Sequence, residues 1–174
     1  MSNTVQMPLG SINVVGDESV GQIGCFSDLD RTTTPEAPRR LSNLKTYAVL
    51  VKNDLGGVVT PGLGYTYKSG YLGTRVGALS GANAICDGIA DPDYPTTIPD
   101  QSYFWLIIQG PTKAKIGAGD QTANGVVQTL ANGLFGTGTA GTNPIGHSGK
   151  ALAAAAATAL CRILFNNPFS AVKP

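Results

Sequence analysis

Charge is scarce in this chain. Lys, Arg, Asp and Glu make up only 13% of its 174 residues, against the ~25% usual for soluble domains. The balance is +1 and no basic block stands out, so the electrostatic footprint of phosphate-driven nucleic-acid binding is missing. Long apolar runs are missing too, and none approaches the ~18 residues of a membrane span. The opening MSNTVQMPLGSINVV has neither the basic n-region nor the apolar core of a secretory signal. The expectation is a protein made in a cytoplasm, with no nucleic-acid or membrane partner.

Catalytic residue types are equally thin. His147 is the only histidine, and no Asp or Glu follows Asp120. Any Ser or Cys nucleophile would need a base within hydrogen-bond reach, so such a mechanism must pass through His147. It sits in a glycine loop beside Ser148, where an exposed polar role is the simpler reading. Cys25, Cys86 and Cys161 are odd in number and spaced 61 and 75 apart, which fits neither a disulfide framework nor a C-x-x-C zinc clamp. Cys86 and Cys161 lie among apolar neighbours and read as small buried hydrophobes.

What the chain does have is glycine, 23 residues of it, placed between short apolar runs. Its length suits one domain and buries roughly 70% of the unfolded surface. Residues 1–45 hold one β-like run, SINVV, then a polar stretch in which Pro35 and Pro38 stop regular structure. This reads as an extended arm. It either stays solvated or folds along another surface, and its scattered Val20, Ile23, Phe26 and Leu29 suit the second.

From residue 46 onward the pattern is a β-domain. KTYAVLVKN has the β-branched and aromatic content of a buried strand, and NDLGG after it supplies a turn. Glycine-bounded segments GYTYKSG and YLGTRVGAL follow at strand spacing. A proline-dense loop, DPDYPTTIPDQ, precedes YFWLIIQGPTKAKI, which Gly110 and Pro111 are expected to split into two strands. Period two puts Phe104 and Leu106 on one face and Tyr103, Trp105 and Ile107 on the other. A strand apolar on both faces belongs between two layers of one sandwich or in an oligomer interface. Residues 150–165 contain five consecutive alanines, a helical signal, yet ALCRILFN alternates and ends at Asn166-Asn167-Pro168, which favours strand. The expected fold is all-β: a single-domain antiparallel β-sandwich or barrel of short strands, with long Gly/Pro loops and an extended N-terminal arm.

Several motifs dissolve on inspection. GTGTAG matches G-x-G-x-x-G, but a helix-hostile TNPIGHSG follows and the acidic partner never comes. GTNPIGHSGK misses the phosphate-loop register, because the second glycine does not directly precede the lysine. The pairs Asp28/Asp30 and Asp91/Asp93 have calcium-loop spacing without the rest of that loop, so turn formation explains them. Arg39 and Arg40, following Pro38, could present two guanidinium forks to an acidic surface, or be a solvated pair. No cofactor and no catalytic set is expected.

Residues 47–111 resemble capsid decoration (cement) and minor capsid proteins of tailed bacteriophages. The likeness is carried by VKN with DLGGVVTPG, by YKSGYLGTRVGAL, by ICDGIADPDYPTTIPDQ and by SYFWLIIQGP. The end of the chain, GTAGTNPIGHSGKALAAAAATALCRILFNNP, is similar to the way such chains close. The resemblance implies a non-catalytic virion protein on the outer face of an icosahedral head. Its partners would be the major capsid protein and itself, as a dimer or trimer. Candidate capsid or oligomer contacts are Phe26, Leu29, Arg39, Arg40, Tyr94, Tyr103 and Trp105. Rival readings are a head-tail connector or tail protein and a carbohydrate-binding β-sandwich stacking sugars on Tyr65, Tyr67, Tyr71 or Tyr94. A hydrolase built on His147 with Cys25 or a serine ranks last.

Overall fold

The computed structural model describes residues 19–30, 39–138 and 147–166. The run SINVV, the Pro35 and Pro38 segment and the 139–146 glycine loop lie outside them. Ten strands form one sheet: β1 (Ile23–Asp30), β2 (Arg39–Asn53), β3 (Gly64–Tyr67), β4 (Arg75–Leu79), β5 (Gly88–Ala90), β6 (Tyr103–Lys115), β7 (Val126–Thr129), β8 (Phe135–Thr137), β9 (His147–Ala151) and β10 (Leu160–Asn166). No α-helix occurs among the described residues, and a 3-10 turn lies at Ala131–Gly133. The all-β, single-domain expectation agrees with this.

The sheet closes on itself twice. Strands β2, β4, β3, β5 and β6 form a ring, because β2 pairs with both β4 and β6. Inside it pack Val49, Val51, Tyr65, Val76, Phe104 and Leu106. The lower half of β6 then joins β10, β9, β7 and β8, and a bridge between Ile116 and Phe135 shuts this second ring. Ala114, Ile116, Val127, Phe135, Ile163 and Phe165 fill it. Closure removes the edges of the ring strands, and β1 stands outside both rings, paired with β2. All strand pairs are antiparallel except β2 with β4.

One expectation fails here. β6 runs unbroken through Gly110 and Pro111. Gln109 is where it changes partner, from Tyr47 of β2 to Asn166 of β10. Gly110 has φ +104, and a Cβ there would fall 2.2 Å from the Lys45 carbonyl oxygen, so only glycine lets β2 cross so closely. Pro111 has no amide to donate, and its carbonyl accepts from the Thr46 hydroxyl at 2.7 Å. The pair marks a change of partner in one long strand.

The alanine run is not helical. Ala155 exchanges both backbone bonds with Gln121 at 2.8 and 3.0 Å, and Ala157 N–H reaches the Asp120 carboxylate at 3.0 Å. Thr158 at φ +65 then turns the chain into β10. Tertiary pairing outweighs intrinsic propensity, which is worth at most about 0.7 kcal/mol per ordinary residue.

Part of the expected arm is built into the sheet. β1 pairs antiparallel with β2 from Ile23 against Val49 to Asp30 against Arg39, and β2 passes residue 45 without a break.

Candidate interaction surface

β1 pairs beside β2, and β2 beside β6, so the three strands present side chains on one shared outer face. Phe26 and Gly24 share the inward face of β1, and Phe26 meets Trp105 edge-on at 5.2 Å between ring centres. Trp105 is 5% exposed and packs with Ala48, Leu50 and Ile107, with Phe26 and Tyr103 against them. Both apolar faces of 103–107 are therefore covered within the chain, one by the ring core and one by β1. Gly24 is required by this contact, since a Cβ there would lie 2.5 Å from the Phe26 ring.

Tyr94 also turns inward. Its ring packs edge-on against Phe104 at 6.5 Å, and its hydroxyl accepts the Trp105 backbone N–H at 2.8 Å. β5 is only three residues long, so no strand supplies that acceptor, and the tyrosine does. Burial pushes the Tyr94 hydroxyl pKa above its ordinary value.

A polar knot fastens the hairpin to the second ring. Asp28 is buried, accepts from the Ser42 hydroxyl at 2.6 Å and is gripped by the Arg162 guanidinium of β10. It borders a cavity of about 40 Å³, also lined by Thr112 and Asp91. Asp91 accepts the Asp93 N–H at 3.1 Å, which is the turn expected of that acidic pair. Among the described residues no group of three or more His, Cys, Asp or Glu could hold a metal ion.

Solvent-facing apolar groups gather elsewhere. The register of β2 slips between Tyr47 and Ala48, and this bulge leaves Leu44 and Tyr47 exposed. With Gln109, Lys150, Leu164 and Lys45 they line an open groove of about 600 Å³, apolar along its floor with two lysines beside it. Sequence reasoning missed it, placing Tyr47 in a buried strand. The signal was present in the mid-strand Gly-Pro pair, since a glycine inside a strand often marks a bulge or a close approach.

The seven candidate contacts thus divide. Phe26, Tyr103 and Trp105 meet in one cluster. Leu29 and Arg40 are cross-strand partners, with Leu29 half-buried and Arg40 exposed. Arg39 pairs with Asp30 through its backbone, and its side chain lies outside what is described. The Tyr94 ring lies in the first core, joined to the aromatic cluster through the Trp105 backbone N–H. Of the tyrosines suggested as sugar platforms, Tyr65 and Tyr94 are buried, Tyr67 is half-buried and Tyr71 is exposed, stacked on the Arg75 guanidinium at 4.5 Å. Burial pushes the Cys86 thiol up to about 12 and raises that of Cys161, so neither is a ready nucleophile.

No protein-family model matches the chain, and no curated protein matches it by sequence. Among solved structures it is similar to the head fiber gp8.5 N base of bacteriophage phi29, with a TM-score of 0.51 at 12% identity. The match covers 70% of this chain and 95% of that one. At such low identity the likeness is one of fold.

Proposed function

We propose that this chain is a structural protein of a bacteriophage virion, mounted on the outer face of the head. There it decorates the shell and stabilises contacts between subunits of the major capsid protein. The observation that carries this reading is the fold shared with nearly the whole of a phage head fiber base. The resemblance of residues 47–111 to decoration proteins points the same way.

The architecture suits a passive mount. Two closed rings share β6 as a common wall, and Asp28 with Arg162 ties the hairpin to the second ring. Such a body transmits load without needing chemistry. Capsid contact falls to the end of the hairpin where β1 leads into β2, with Leu29 and Arg40, and to the groove with Leu44 and Tyr47. A protein that binds only the assembled shell stabilises it by mass action, and many copies make modest contacts effective. A narrower alternative follows from the same neighbour: the chain is the base of a projecting fibre and not a cement.

Quantitative mass spectrometry of purified virions of the source virus tests the proposal. A copy number that is a fixed large fraction of the major capsid protein supports cement, and a smaller set of copies on the head supports a fibre base. A dozen or fewer copies at the tail would move the chain to a connector. Absence from the particle would sink the virion reading altogether.

A further inference from the structure

β1 is the outermost strand among the described residues, and its outer side is a pairing edge. The Leu50 N–H donates to the Gln22 carbonyl at 2.9 Å, which sets the parity of the ladder. In an antiparallel pair, backbone groups point alternately toward and away from the partner. Gln22, Gly24 and Phe26 therefore turn theirs toward β2, and Ile23, Cys25 and Ser27 direct theirs outward. None of the described strands pairs with that side.

Natural edges are usually blunted by lysine, proline, bulges or inward charges. Between Ile23 and Ser27 this edge has none of these; the register slip comes only after Ser27, and Asp28 is consumed by Arg162 and Ser42. Ile23 is 66% exposed, and Cys25 faces solvent beside it. At the start of β1, Gly21 lies against Thr74, at the end of the turn that carries Tyr71 and Leu72, the latter 83% exposed. Apolar surface and open backbone are thus neighbours.

We infer that this edge pairs with the same edge of a second copy, antiparallel, about a two-fold axis at Cys25. The segment is self-complementary. Cys25 falls opposite Cys25 of the second copy, and Ile23 opposite its Ser27. These outward residues form about six backbone hydrogen bonds, two for each narrow pair. No outward position carries a charge, so the symmetric pairing sets no like charges against each other. An isologous contact of this kind closes at two. The inference rests on the edge alone and not on the virion reading, so either can fail without the other.

Sedimentation equilibrium of the full chain across a concentration series tests it. The wild type is expected to show a dimer that grows with concentration. Cys25→Pro removes an outward amide that the β2 ladder does not use, and should leave a monomer with an unchanged far-ultraviolet circular dichroism spectrum. Ile23→Lys adds a charge to the exposed edge without touching the core, and should weaken association at least tenfold. In the wild-type dimer the two Cys25 Cα atoms lie about 5.5 Å apart, so a short bifunctional thiol reagent should join them. A monomer at every concentration would overturn the inference, as would an odd-numbered assembly. So would an oligomer that Ile23→Lys and a folded Cys25→Pro both leave intact.

Discussion

Phe26→Ala tests whether β1 is what covers Trp105. Fully burying a phenylalanine stabilises by about 1.5–3 kcal/mol. Phe26 is only half-buried, so about half of that is lost on truncation. Its edge-on contact with Trp105 at 5.2 Å adds about 0.5–1.5 kcal/mol beyond area. The expected cost is therefore about 2 kcal/mol, or roughly 4–8 °C in Tm for a domain of this size. Trp105 is the sole tryptophan, so its emission reports on this site without ambiguity. In Phe26→Ala the native emission should shift to the red and acrylamide quenching should rise, because one wall around the indole is gone. Urea unfolding followed by the same signal gives the stability change. An unchanged emission maximum with an unchanged urea midpoint would refute the packing of β1 on β6. Loss of stability without any spectral shift would show that Phe26 supports the fold from somewhere other than the indole.

Two further outcomes follow from burial. Desolvation raises the Asp87 carboxyl pKa above its ordinary 3.8, with the hydrogen bond from Tyr67 N–H opposing. The folded state therefore disfavours the charged form, and the stability owed to this group falls as pH rises from the unfolded value through the folded one. Asp87→Asn should be more stable than wild type at pH 7, and the gap should close as pH falls toward 3.8; a gap of equal size at both ends, measured by urea unfolding, would show that burial of charge is not the cause. The thiols should separate by reactivity. Cys25 is exposed while Cys86 and Cys161 are buried, so native titration with a chromogenic disulfide should modify one cysteine quickly and the others only on unfolding; two fast thiols would contradict the second core.

How far the sequence could be read depended on the range of the forces involved. The two faces of 103–107 were legible because alternation is a local property, and Phe104 with Leu106 did separate from Trp105 with Ile107. The β reading of ALCRILFN likewise followed from its alternation against an alanine-rich approach. Gly110 and Pro111 were misread as a break because a Gly-Pro pair in a strand signals either a turn or a close approach, and only the distant partners decide: β6 pairs with β2 before them and with β10 after. Tyr47 looked like core for the same reason: its exposure comes from a register slip against a strand about sixty residues away. Aromatics offered a further ambiguity. Trp105 and Tyr94 have the composition of interface anchors, yet the shortness of β5 draws the Tyr94 hydroxyl inward to the Trp105 amide.

By itself, then, the sequence determined an all-β chain, poor in charge, with strand faces set by period two and turns set by glycine and proline. Those properties are local, fixed by steric limits on each residue and its near neighbours. Only the tertiary structure decided that the sheet closes twice around a shared β6, that Phe26 of β1 covers the tryptophan, and that no other described strand pairs with the outer side of β1. These depend on pairings between residues such as Arg162 and Asp28, 134 positions apart. Contacts of that span cost loop-closure entropy and are chosen by the combined packing of many strands, so no local pattern encodes them.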